Sequence, residues 1–190
     1  VRALFAVLFD RLREAGVVAA YEYWNDFVIV SVDGVHHFSS TKIHCPHCTT
    51  RTHRNGVVSY HHSGLAAVMV HPDREEVFPL DFEPVLNADG ARKNDCERTA
   101  AKRLCATLHE QYPDLNILLV EDALSANAPH IRQITQYGWH YILSVTPESH
   151  QSLERQFAGR QATDQVRRLR LTDPDGVRHE FAWTNGLCLC

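Results

Sequence analysis

The chain has 190 residues, a net charge of −4 and a composition that is 44% hydrophobic, 22% charged and 9% aromatic. This is ordinary for a soluble globular protein, and the length is enough to bury a core within one domain. Six cysteines are too few for a disulfide scaffold, and no segment approaches the roughly 20 apolar residues of a membrane span. We therefore expect a reduced, cytoplasmic protein without a membrane anchor.

The first predicted element is an amphipathic helix. Apolar residues recur at helical spacing from Leu4 to Leu12, and Gly16 is a natural place for this helix to end. Charged residues interrupt the apolar run and no small-residue cleavage site follows it. The segment is therefore predicted to be a helix of the protein and not a signal peptide.

The next part of the chain is predicted to contain strands and one polar loop. Residues 27–32 form an apolar, β-branched run that is typical of a buried central strand and ends at the turn signal Asp33-Gly34. A loop rich in His and Cys is predicted from His36 to about residue 56. Two further strands are predicted at 57–60 and 65–70, separated at Ser63-Gly64, and a short edge strand at 77–80.

The second half of the chain alternates helices with strands. A long amphipathic helix is predicted over 91–112, with Ala100, Ala101, Leu104, Cys105 and Leu108 on its apolar face. The remaining predicted elements are a strand at 116–120 that ends in Glu121-Asp122, a helix at 129–137, a strand at 141–145, a helix at 148–157 and a hairpin around 173–176. Three consecutive strands followed by alternating helices and strands predict a mixed α/β sheet with helices on its faces.

Two aspartates stand at the predicted carboxyl ends of buried strands. Asp33 follows the first of these strands and Asp122 follows a later one. If the two strands are neighbours, the carboxylates converge, and they then need a cation such as Mg²⁺, which prefers oxygen ligands and retains water. The alternative is that Asp33 only precedes a glycine in a turn and that Asp122 caps the following helix.

Glu97 is a candidate accessory acid. It lies near the start of the long predicted helix, where a carboxylate also interacts favourably with the helix dipole. That simpler explanation stays open beside a role in metal binding.

The His- and Cys-rich loop contains half of a zinc motif. Cys45, Cys48 and His53 have the C-x₂-C-x₄-H spacing of a zinc knuckle, but the position of the fourth ligand falls on a valine. Cys96, His61 or His62 could complete the site from another element. Thiols and imidazoles that bind no metal are the alternative.

Several stretches together resemble a known family. They are VSVDGVHHFSSTKIHCPHC, HRNGVVSYHHSGLAAVMVHPDREEVFPL, DGARKNDCERTAAKRL and LLVEDALSANAPHI. They look like the DDE transposases of bacterial insertion sequences, in an IS4-like branch, and the similarity extends to the hairpin near Trp183. The resemblance implies a ribonuclease H-like fold, with Asp33 and Asp122 as the first two catalytic acids and Mg²⁺ or Mn²⁺ as the metal.

The chain departs from the family pattern at two points. Ala123 stands where the family usually has glycine. The family's catalytic glutamate comes after a mostly β insertion, and Glu148, Glu154 and Glu180 do not stand in its motif context. We therefore expect a fragment truncated before that glutamate, with a helical lead-in at 1–26, an incomplete catalytic core at 27–160 and the start of the insertion at 161–190.

The resemblance implies metal-dependent DNA cleavage and strand transfer, with transposon ends and target DNA as partners and a homo-oligomer as the full-length form. A ribonuclease H-like nuclease without strand transfer and an inactive remnant are the alternatives. The overall charge does not by itself indicate DNA binding. Basic residues are clustered locally, at Arg92, Lys93, Arg98, Lys102 and Arg103 and at Arg160, Arg167, Arg168 and Arg170.

Overall fold

The computed structural model describes residues 2–86 and 93–189, and for residues 93–96 it describes the backbone alone. Two compact units are present, Val1–Ser144 and Val145–Cys190. The helices in the described ranges are α1 (Arg2–Glu14), α2 (Val17–Ala20), α3 (Lys93–Gln111), α4 (Ala128–Gln136) and α5 (Gln151–Ala162). The strands are β1 (Glu22–Tyr23), β2 (Phe27–Ser40), β3 (Thr49–Thr52), β4 (Val58–Met69), β5 (Phe78–Val85), β6 (Ile117–Glu121), β7 (His140–Leu143), β8 (Arg167–Thr172) and β9 (Arg178–Trp183).

The first unit is built on a mixed seven-stranded sheet flanked by helices, as the order of predicted elements indicated. Its central strands run in the order β4-β2-β6-β7, and β3 and β5 pair with successive parts of β4. The pairs β2–β4 and β4–β5 are antiparallel, whereas β2–β6 and β6–β7 are parallel. The carboxyl ends of β6 and β7 therefore lie at one edge of the sheet.

The predicted end of the first strand at Asp33-Gly34 is wrong. Strand β2 continues to Ser40, because Gly34 pairs with Leu65 of β4 and the pairing resumes at Phe38 after an irregularity beyond His36. Part of the segment predicted as a loop is therefore strand. The partner strand supplies hydrogen bonds that a local turn signal does not reveal.

The predicted break at Ser63-Gly64 is also wrong, because β4 is one continuous strand. Gly64 pairs with Val35 of β2 on one side and with Pro84 of β5 on the other. A Cβ at this position would overlap the ring of Phe82 and would lie 2.6 Å from the carbonyl oxygen of Glu83. This glycine allows a close approach between strands instead of forming a turn.

The core lies between the sheet, α1 and α3. Ala100, Ala101, Leu104, Cys105 and Leu108 are all buried, which confirms the predicted apolar face of α3. Apolar residues of β2, β4 and β6 contribute to the core from the sheet, and α1 contributes one buried ring. These residues are Val28, Val30, Ala67, Met69, Ile117, Leu119 and Phe9. Among the residues that the structure describes, none of the helices has the length and apolar character that a membrane crossing requires.

Two acids of β5 are buried and paired with arginines. Asp81 contacts Arg2 of α1, with 3.3 Å between Oδ2 and Nε, and Glu83 contacts both Arg2 and Arg103 of α3. Burial raises the pKa of Asp81, and the neighbouring Arg2 opposes that shift. These ion pairs join α1 and α3 to β5, which gives both acids a structural role.

The second unit consists of α5 and the antiparallel hairpin of β8 and β9. The hairpin confirms the turn predicted at 173–176, where Gly176 adopts a positive φ of 82°. The Asp173 carboxylate accepts hydrogen bonds from the turn and from His179, and these bonds lower the pKa of Asp173.

A conservative change at Tyr112 is expected to alter stability at alkaline pH. The Tyr112 hydroxyl donates to the carbonyl oxygen of Leu80 at 3.1 Å, and its ring packs on Phe9 with 4.3 Å between ring centroids. Burial raises the pKa of Tyr112 from 10.0 to about 12. The unfolded chain therefore ionises first, and the stability contributed by the neutral hydroxyl is lost as the pH rises from about 10 to about 12.

We expect Tyr112→Phe to lower the free energy of unfolding by about 1 kcal/mol near neutral pH, because the buried carbonyl of Leu80 loses its donor. Between about pH 10 and pH 12 the variant should lose less stability than the wild type. Urea unfolding at a series of pH values measures both effects. Parallel curves for the two proteins across that interval would contradict the assignment.

Candidate functional site

A cleft of about 350 Å³ opens beyond the carboxyl end of β6. It is lined by residues of β2, by the first turns of α3 and by the segment that joins β6 to α4. All three predicted acids, Asp33, Glu97 and Asp122, line this one cleft. Residues more than 80 positions apart in the chain are thus brought together by the sheet.

The register of β2 and β6 explains how the two aspartates meet. The last parallel pair joins Ser31 to Val120, and Asp33 and Asp122 each lie two residues further along their own chain segments. Neighbouring strands are about 4.8 Å apart, so side chains at matched positions are close. Both aspartates are exposed to solvent. Strands β2 and β6 are neighbours, which is the condition for the two carboxylates to converge.

Local hydrogen bonds fix the backbone around each aspartate. Asp33 Oδ1 accepts from the Gly34 N–H at 2.7 Å, and Asp122 Oδ1 accepts from the Leu124 N–H at 3.0 Å. The cap of α4 is Asn127, whose side chain accepts from the His130 N–H at 3.1 Å. Asp122 therefore begins the turn that leads to α4 and does not cap that helix.

Glu97 reaches the cleft from α3 and is half-buried. In the described part of the chain, the carboxylate oxygens of Asp33, Glu97 and Asp122 are not all within 4.8 Å of one another. That spacing suits an ion that keeps several water ligands, because some of the acids then bind it through water. It does not suit an ion held by direct contacts to all three.

Basic side chains stand at the rim of the same cleft. Arg98 and Lys102 of α3 are exposed and line it next to Glu97, and His36 of β2 lines it from the sheet. A cleft that combines carboxylates with exposed cations can bind a metal ion together with a phosphate group, because the cations attract the phosphate oxygens.

A buried, hydrogen-bonded pair supports the segment that carries Asp122. The Glu121 carboxylate accepts from His130 Nε2 at 2.5 Å and from the Ser125 hydroxyl at 3.1 Å. The side chains of Glu121 and His130 are 1% and 5% exposed, so this pair is inside the protein. Neither residue was predicted as functional from the sequence, although a glutamate at the end of an apolar strand indicates a buried acid that needs a partner.

The His- and Cys-rich segment contains a second group of ligands. Cys45 Sγ and Cys48 Sγ lie 3.3 Å and 3.4 Å from His62 Nε2, so these residues could hold a metal ion. The zinc-knuckle spacing instead pointed to His53, whose Nε2 contacts the Ser59 hydroxyl at 2.8 Å. Cys96, another predicted ligand, has a side chain outside those described.

No family model, no curated protein and no solved structure matches the chain. The cleft lined by Asp33, Glu97 and Asp122 is called the acidic cleft below, and Cys45, Cys48 and His62 are called the thiol–imidazole group. These two features carry the functional proposal.

Proposed function

We propose that the chain belongs to the catalytic core of an IS4-like DDE transposase. Such an enzyme cleaves DNA and joins it to a target with Mg²⁺ or Mn²⁺. The observation that carries this proposal is the position of Asp33 and Asp122. Asp33 lies on β2 and Asp122 directly follows the adjacent parallel strand β6, each two residues beyond the last pair of the two strands, and both line one cleft with Glu97. In open α/β sheets, ligands bind outside the carboxyl ends of such strands.

The architecture supports assignment to the ribonuclease H-like class. Strands β2, β4 and β5 pair antiparallel in turn, and the short β3, which lies between β2 and β4 in the chain, pairs antiparallel with the first residues of β4. Helix α3 follows, and β6 and β7 then continue the sheet in parallel with β2. This class predicts the acids of the first and fourth core strands at the active site, which are Asp33 and Asp122.

The residues of the cleft suit phosphodiester chemistry. Asp33 and Asp122 would hold the divalent ion, and Glu97 would act as an accessory acid. Such an ion stabilises the charge that develops on the attacking and leaving oxygens. Arg98 and Lys102 would bind the phosphates on either side of the scissile one. In the cleavage step, water would attack the phosphodiester and release a DNA 3′ hydroxyl. In the joining step, that hydroxyl would attack a phosphodiester of the target DNA and displace the 3′ hydroxyl of the target strand.

The thiol–imidazole group calls for a different ion. Thiolates are soft ligands that suit Zn²⁺ and do not suit Mg²⁺. We therefore propose Zn²⁺ for Cys45, Cys48 and His62, separate from the ion of the acidic cleft.

Incubation with DNA tests the proposal directly. The purified chain is mixed with supercoiled plasmid and a labelled oligonucleotide duplex, with Mg²⁺, with Mn²⁺ or with a chelator. We expect metal-dependent nicking, together with transfer of label into the plasmid. Nicking without joined products would favour a ribonuclease H-like nuclease. Absence of both, in protein that is folded by circular dichroism, would favour an inactive remnant and overturn the proposal.

Neutralising the basic rim of the cleft is expected to weaken DNA binding. Arg98→Ala with Lys102→Ala removes two exposed cations that face the cleft. Each lost phosphate contact reduces the magnitude of the slope of log affinity against log salt concentration by about 1. The slope of the double variant should therefore be smaller in magnitude by about 2. Arg11→Ala, on α1 and paired with Glu14, is the matched control and should keep the wild-type slope. Unchanged salt dependence in the double variant would show that the rim does not contact phosphate.

A further inference from the structure

The Cys45, Cys48 and His62 ligand atoms are spaced as the corners of a tetrahedron around one ion. Zn²⁺ lies about 2.3 Å from thiolate sulfur and about 2.0 Å from imidazole nitrogen, so tetrahedral angles predict about 3.8 Å between sulfurs and about 3.5 Å from sulfur to nitrogen. The two sulfurs are 3.8 Å apart, and the sulfur–nitrogen distances are 3.3 Å and 3.4 Å. The three atoms leave one tetrahedral position for a further ligand.

A backbone donor is also directed at one of the two sulfurs. The Cys45 N–H lies 3.3 Å from Cys48 Sγ and donates to it, and the Cys48 N–H donates to the Cys45 carbonyl oxygen at 3.2 Å. A donor directed at sulfur stabilises its anionic form, which is the form that binds a metal. Cys48 is buried, and Cys45 and His62 are half-buried, so the ion would be largely shielded from solvent.

The group lies away from the acidic cleft. His62 pairs with Phe38, which is five residues beyond Asp33 along β2. At about 3.3 Å per residue, this separates His62 from Asp33 by about 16 Å along the strands. The thiol–imidazole group therefore does not share an ion with the acids.

The thiol–imidazole group lies at the open end of the hairpin formed by β3 and β4, which carries exposed basic residues. Cys48 directly precedes β3, and Thr49 of β3 pairs with His61, next to His62. We call residues 41–57 the basic lobe: Lys42, Arg51 and Arg54 are exposed there. The sequence from Gly34 to Pro72 contains no Asp or Glu, although the whole chain carries a net charge of −4.

We propose that one Zn²⁺ bound by Cys45, Cys48 and His62 fastens the basic lobe to β4, and that the lobe binds the DNA backbone away from the cleft. The ion would link the turn before β3 to β4, the second strand of the hairpin, as a disulfide links two chain segments. The lobe is thereby held with its cations exposed, in a position to contact phosphates. The zinc site stands without the proposed function, whereas the DNA contact rests on it.

Metal content and X-ray absorption test the zinc site. We expect one zinc per chain, with two sulfurs at about 2.3 Å and lighter ligands at about 2.0 Å. His62→Ala should lose the zinc. His53→Ala should keep it, although simple spacing makes His53 the ligand. A wild-type chain that neither contains zinc nor binds added Zn²⁺ would overturn the site, as would a His62→Ala chain with full zinc content.

DNA affinity tests the role of the lobe. Arg51→Ala with Arg54→Ala should keep zinc but bind a DNA duplex about tenfold more weakly at low salt, and removal of zinc from the wild type should weaken binding in the same way. Arg11→Ala is again the control. Unchanged affinity in the lobe variant, while the wild type binds DNA, would overturn the DNA contact. Zinc in a chain that binds no DNA would instead contradict the proposed function and leave the metal site standing.

Discussion

Replacing Asp33 or Asp122 with asparagine is expected to lower metal-dependent DNA nicking by at least about 10³-fold. A bound metal contributes several kcal/mol of charge stabilisation in the transition state, and each 1.4 kcal/mol corresponds to about a tenfold change in rate. Asparagine keeps an Oδ1 that can accept from the Gly34 and Leu124 N–H groups, so the local backbone bonds survive. The substitution therefore removes the negative charge of the side chain and leaves its size and shape almost unchanged.

The control for these variants is an acid at the other end of β6. Asp114 is an exposed acid in the turn before β6, at the opposite end of that strand from Asp122. Asp114→Asn should keep full nicking and full Mn²⁺ binding, measured by electron paramagnetic resonance. If Asp33→Asn nicks DNA at the wild-type rate, or if Asp114→Asn is as impaired as the cleft variants, the acids of the cleft are not the metal site.

The second large effect is expected at the buried pair of Glu121 and His130. His130→Ala should lower the free energy of unfolding by about 3–5 kcal/mol, because it removes the principal partner of a buried carboxylate. The Ser125 hydroxyl still donates to Glu121, which places the loss towards the lower end of that range. Chemical denaturation near neutral pH measures it.

A double variant separates the contribution of the Glu121–His130 polar contact to stability from the contribution of packing. Glu121→Leu with His130→Leu removes both polar groups and should recover much of the stability lost by His130→Ala alone, since apolar replacement of a whole buried pair is often nearly neutral. Asp122 and the turn at Leu124 follow Glu121 directly, so His130→Ala should also reduce Mn²⁺ affinity in the cleft. A stability change below about 1 kcal/mol in His130→Ala would show that the pair contributes little.

Local residue patterns were enough to predict which segments are buried. The apolar runs at β2 and β6, the apolar face of α3 and the turn at Gly176 were all predicted, because alternation, helical spacing and turn residues report local burial and backbone conformation. The sequence also singled out Asp33, Asp122 and Glu97 as candidate acids, and all three line one cleft.

Only the tertiary structure decided which distant residues meet. Strand β2 runs past Asp33 because β4 pairs with it, and Gly64 is required by the approach of β5 and not by a turn. His62, which the sequence offered as one of several alternatives, lies beside Cys45 and Cys48, while His53 bonds to Ser59. Strand register and long-range packing set these contacts, and neither is encoded in the spacing of neighbouring residues.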